Sequence, residues 1–104
     1  MENPPEETLD PDDWSAVQAL AHKMIDDAVR HLSELRNRPV WQEMPEGAQA
    51  AFRAPLPVGP MPLEDVYGEM LSNMTPYAMG NIHPRFWGWY MGAGNFTGAL
   101  GDFL

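Results

Sequence analysis

Between residues 14 and 35 apolar side chains recur every three or four positions, as Trp14, Val17, Leu20, Ala21, Met24, Ile25, Ala28, Leu32 and Leu35. That spacing matches the 3.6-residue period of an α-helix and lays a wide apolar stripe along one face. The run follows Asp10-Pro11-Asp12-Asp13, which reads as a helix start. Asp10 suits the cap, Pro11 the first helical position, and the carboxylates the positive end of the dipole. The pattern stops near Arg36, with Arg36 and Arg38 at the negative end and Pro39 barring continuation. A helix of that length would span roughly 40 Å. So long and one-sided a helix needs a partner surface, and a second copy lying alongside would supply one.

Residues 39–62 carry Pro39, Pro45, Pro55, Pro57, Pro60 and Pro62. They predict an extended connector with one short helix near Ala48–Phe52. Pro62-Leu63-Glu64-Asp65 opens a second helix, with Leu63, Val66, Tyr67, Met70, Leu71 and Met74 on one side and Pro76 as its end. From Asn81 the pattern changes. His83 to Gly92 holds four aromatics in ten residues, and their alternation does not fit a strand with one apolar face, since Phe86, Trp87, Trp89 and Tyr90 would point both ways. Buried on both sides, this segment would need more protein to cover it than the chain offers. Asn95 or Thr97 can cap a last helix over Gly98–Leu104, which ends in an apolar turn without a stop signal. That ending predicts a chain cut from a longer one. The expected fold class is mainly α: one long amphipathic helix, short helices and an aromatic loop, after a disordered acidic lead over residues 1–9.

Composition sharpens this picture. Proline (11) and glycine (9) occupy about a fifth of the 104 positions, so regular structure is confined to a few stretches. Fifteen acids against six bases give a net charge of -9, a surface that repels phosphate backbones and argues against a nucleic-acid partner. Four of the bases, Lys23, Arg30, Arg36 and Arg38, lie on or just after the first helix among acids, the pattern of a solvated face. The absence of cysteine excludes disulfides, thiolate metal sites and a cysteine nucleophile. An acidic rather than basic start does not resemble a signal peptide, so a cytoplasmic location is expected.

Candidate chemistry is sparse. His22 and His31, nine residues apart on one helix, face opposite ways and cannot share a metal. Lys23 is the only lysine, and its neighbours Asp26 and Asp27 argue for an exposed charged side chain rather than a Schiff-base nucleophile. Gly88, Gly92, Gly94, Gly98 and Gly101 match neither phosphate-cradling fingerprint. Residues 86–104 are largely apolar, but these glycines with Asn95, Thr97 and Asp102 lower the propensity to insert, and no membrane partner is expected.

The stretch Asn81-Ile82-His83-Pro84-Arg85-Phe86-Trp87-Gly88-Trp89, followed by Met91-Gly92 and Gly98-Ala99-Leu100-Gly101-Asp102-Phe103-Leu104, resembles the N-terminal region of the group II pyridoxal-phosphate decarboxylases. These include the aromatic-L-amino-acid, tyrosine and glutamate decarboxylases. The resemblance extends back through Pro39-Val40-Trp41, Pro55-Leu56-Pro57 and Leu63-Glu64-Asp65-Val66 and takes in nearly the whole chain from Asp10. The motif over 81–92 is fairly specific; the helical parts are not.

The resemblance implies a parent α/β fold of the pyridoxal-phosphate transferase fold type I. Residues 10–80 would form a helical arm lying across the partner subunit of a homodimer. Residues 81–104 would form a substrate-side loop and the start of the first helix of a large cofactor domain. By position, Asn81, Trp89, Tyr90, Met91 and Gly92 are implied to line the pocket for an amino-acid substrate. Some better-known relatives carry an aromatic where this chain has Asn81, and a proline and a hydroxyl residue where it has Met91 and Gly92, so the substrate is left open. The family's Schiff-base lysine, ring-stacking histidine and pyridinium-binding aspartate lie downstream and have no counterpart here. Pyridoxal phosphate is thus expected in the parent enzyme but not on this segment, and no catalytic or metal-binding residue is expected within it. The rival expectation is a stand-alone helical dimerisation module without catalytic activity.

Overall fold

The computed structural model describes residues 4, 7–89, 92 and 94–104. Among them the chain is mainly helical and contains no strand. Helix α1 runs over Trp14–Ser33 and continues into a single 3-10 turn, Leu35–Asn37. Helix α2 is Glu46–Ala51, α3 is Leu63–Asn73 with a 3-10 turn at Thr75–Tyr77, and α4 is Phe96–Phe103.

The expected long helix exists, but it begins three residues later than Pro11 would have it. Asp13, not Asp10, is the cap: its Oδ1 accepts from the backbone N–H groups of Ser15 at 2.9 Å and Ala16 at 3.3 Å. These are the second and third helical positions, where a capping carboxylate is needed. The hydrogen bond from the Ser15 hydroxyl, at 2.6 Å, is the chief reason that the Asp13 carboxyl is held below its ordinary value, with the two N–H groups adding to it. At the other end the α-helical ladder stops at Ser33 and tightens into the 3-10 turn, so that backbone is extended again before Pro39. The helix is therefore 20 residues long, about 30 Å rather than 40 Å.

Helix α3 meets α1 at one crossing, where Tyr67 reaches Asp27, and leaves most of the apolar stripe uncovered. Leu20 of α1 and Tyr67 of α3 are buried at that crossing, and α2 packs on α3 with Ala48 buried. Little else is covered. Met24, Ile25, Val29 and Leu32 of α1 remain about two-fifths exposed, and so does Met70 of α3. Leu63, Val66 and Met74 are more exposed still. The radius of gyration is 18.0 Å and the extents are 65 × 35 × 23 Å, whereas a compact domain of this length has a radius near 13 Å. No helix among the described residues is long and apolar enough to cross a membrane.

Candidate functional site

Two stretches distant in sequence meet beyond the C-terminal end of α1. Arg38 turns the backbone to an extended form (φ -96°, ψ 156°), and the segment 76–83 returns beside it. Gln42 Nε2 donates to the Pro76 carbonyl at 3.0 Å. His83 Nε2 donates to the Arg38 carbonyl at 2.9 Å. Between these two ties Gly80 adopts φ +82°, and a Cβ there would collide with the carbonyl of Val40. Glycine alone takes both the left-handed backbone and the close approach without strain.

His83 is the most buried polar residue of the clasp, 5% exposed. Because a carbonyl can only accept, Nε2 carries the proton, and Nδ1 accepts the Arg85 N–H at 3.0 Å. The His83 N–H donates to the Gly80 carbonyl at 2.9 Å, and its own carbonyl accepts from Phe86 N–H at 3.0 Å. The His83 backbone and imidazole together fix the turn from Gly80 to Phe86, and Nε2 anchors it to Arg38, just past the 3-10 turn that follows α1. Spacing singles out neither His83 nor Gly80, since their partners are backbone carbonyls some forty residues away that carry no side-chain signature.

The clasp brings Asn81, half-buried, to a cavity of about 150 Å³ shared with His31, Arg38, Gln42, Thr75 and His83. Burial first, and then the charge of Arg38, hold the His31 imidazole below its usual value. Trp89 does not line this cavity. Its indole is 68% exposed and meets the Phe86 ring edge-on, with centroids 6.2 Å apart at 65°. Gly92 is exposed, with open space where a side chain would stand. Tyr90 and Met91 lie outside the described residues. Of the five residues implied for the substrate pocket, the structure therefore gathers Asn81 with polar neighbours and leaves Trp89 and Gly92 at the surface.

A larger groove, about 630 Å³, runs between α1 and α3. At its edge Asp27 accepts from Tyr67 Oη at 2.7 Å and from Lys23 Nζ at 2.9 Å on one oxygen, and from Arg30 Nη1 at 3.4 Å on the other. The bond from Lys23, and next the one from Tyr67, hold the Asp27 carboxyl below the usual carboxylate range. Burial, and then donation to that carboxylate, push the Tyr67 hydroxyl up to about 12. Lys23 pairs with Asp27 rather than Asp26, and its ammonium also lies 5.0 Å from the Tyr67 ring centroid, a cation–π contact.

These residues do not fit a covalent anchor for pyridoxal phosphate. A Schiff base needs an unprotonated amine in a desolvated pocket, whereas Lys23 sits in an ion pair with its side chain 58% exposed. Among the described residues no group of three or more His, Asp or Glu side chains converges to hold a metal ion. Compared with family models, with curated proteins and with solved structures, the chain matches none.

Proposed function

We propose that this chain is the N-terminal part of a cytoplasmic pyridoxal-phosphate-dependent amino-acid decarboxylase of the α/β fold type I. It would supply dimer contacts and a substrate-side loop, while the cofactor is held by a body outside these residues. The observation that carries this reading is uncovered apolar surface. Trp87 is 92% exposed, Phe103 75% and Trp89 68%, and the stripes of α1 and α3 are open as well. The accessible surface of 9346 Å² compares with about 5,900 Å² for a compact protein of this mass. The excess is more than the roughly 1,000–2,500 Å² that each partner buries in a permanent dimer. A second copy on the helical arm and a larger body over the aromatic loop together account for it, and the motif from Asn81 to Gly92 points to which body.

In this role the chain provides shape and desolvation around the substrate side chain, and the clasp at His83 holds the loop to the arm. The test is made on the full gene product that carries residues 1–104. Supplied with pyridoxal phosphate, it is expected to show the visible band of bound cofactor and to release CO2 from an amino acid. Trp89→Ala should then raise KM several-fold and leave the cofactor band intact. No CO2 from any proteinogenic amino acid would sink the reading, and equal loss of the band would move Trp89 from substrate to cofactor.

A stand-alone dimerisation module is the second reading. It is favoured by the ties that α1 and α3 make with each other, through Tyr67 and Asp27, without outside help. It requires a folded dimer with no cofactor and no activity.

A further inference from the structure

The groove between α1 and α3 inverts the charge of the chain. Overall, acids outnumber bases fifteen to six, yet Lys23, Arg30 and Arg38 border the groove and Asp27 is the one carboxylate among its lining residues. Asp27 is already engaged by Lys23, Arg30 and Tyr67. The side chains of Arg30 and Arg38 remain 61% and 43% exposed, with only exposed Glu34 beside Arg38 at 3.9 Å. His31 faces the same space. The floor is apolar: Met24, Ala28 and Leu32 from α1, with Met70 and Leu71 from α3. Such a site suits a segment with apolar anchors and carboxylates between them.

The chain contains that segment. Leu9 is fully exposed and Trp14 is 66% exposed, and between them lie Asp10, Asp12 and Asp13. Asp13 is used as the cap of α1; among the described residues no ion pair includes Asp10 or Asp12. It cannot reach the far end of the groove in its own molecule. Arg30 lies about 25 Å along the helix from Asp13, and the four residues back to Leu9 extend at most about 14 Å in any direction.

We infer that the groove between α1 and α3 receives the Leu9–Trp14 segment of a second copy, whose Asp10 and Asp12 meet Arg30 and Arg38 while Trp14 enters the apolar floor. This contact rests on the dimer reading of the arm and specifies which surfaces meet. It is reciprocal, so each dimer holds it twice.

Reciprocity gives a direct test by sedimentation equilibrium of the 104-residue chain. Asp10→Arg with Asp12→Arg makes both halves of the contact basic, and Arg30→Glu with Arg38→Glu makes both acidic. Each double variant is expected to raise its own dimer dissociation constant roughly tenfold. Mixed in equal amounts, the two restore opposite charges at both contacts, and association should return to the level of the parent. Should either variant lose helical ellipticity, a peptide spanning residues 7–16 replaces it: the peptide must dissociate the parent dimer, and its Asp→Asn form must not. A parent that dimerises while the mixture stays as weak as the separate variants, or while the peptide has no effect, overturns this contact alone. A parent that stays monomeric up to high micromolar concentration removes the contact and the dimer arm together.

Discussion

Tyr67 ties α3 to α1 through its hydroxyl as well as through the contact of its ring with Lys23, and the hydroxyl bond makes part of that tie dependent on one proton. In the folded chain the proton is retained up to about 12, against a usual value of 10.0. The protonated form is thus favoured by folding, so the stabilisation is complete below pH 10 and is lost as pH rises toward 12. Helical ellipticity at fixed temperature should therefore fall across that window in the parent chain. Tyr67→Phe should lower stability by about 1 kcal/mol at neutral pH, and should show a smaller fall at high pH because it has no proton to lose. An equal fall in both proteins would assign the transition to another group. Asp27 accepts from three donors at this crossing, and its depressed carboxyl acts in the opposite sense. What it contributes is present above the ordinary carboxylate range and is lost only as pH falls through its lowered value.

Elements were legible to the extent that local sequence determines them. The stripe from Trp14 to Leu32 gave α1, and Pro62 and Pro76 bracketed α3, because periodicity and proline act within a few residues. The start of α1 was displaced because Pro11 favours Asp10 as the cap in sequence, whereas it is the Asp13 carboxylate that aligns with two free N–H groups. At α4 the same kind of choice fell to Asn95, whose Oδ1 accepts the Gly98 N–H at 2.8 Å, so the helix opens at Phe96 rather than Gly98. The candidate site was much less legible. The motif brought forward Asn81 and Trp89, but the clasp that holds the loop is made by His83, Gly80 and Gln42 with backbone atoms, and backbone atoms leave no mark in a sequence. Two glycines separate these cases by experiment. Gly80→Ala forces a left-handed residue against the Val40 carbonyl and should cost about 1–3 kcal/mol, with faster hydrogen exchange at the His83 and Phe86 amides. Gly47, within α2, has nothing within 4 Å of an added Cβ, and Gly47→Ala should stabilise by about 0.5–1 kcal/mol. Equal effects on thermal unfolding would mean that the Gly80 approach imposes nothing on the clasp.

At the scale of the whole molecule, the proposed reading assigns the exposed apolar surface two different covers, and the tryptophans tell them apart. Trp14 begins α1 and is 66% exposed, whereas Trp87 in the aromatic loop is 92% exposed. A second copy laid on the arm removes the first from water. In the proposed reading it does not reach the second, which lies beyond the clasp and is covered by a larger body. Single-tryptophan variants of the chain, with the other three indoles replaced by phenylalanine, make each site visible to a neutral quencher. At nanomolar concentration both emitters should be quenched freely, as expected for exposed indoles. As concentration rises into the micromolar range, Trp14 should become protected and shift to shorter wavelength, while Trp87 stays open. In the full gene product both should be shielded. The decisive outcome is at dilution: a Trp87 already inaccessible in the isolated monomer would mean that the chain covers its own aromatic loop. The demand for an outside body, and with it the decarboxylase reading, would then lose its physical basis.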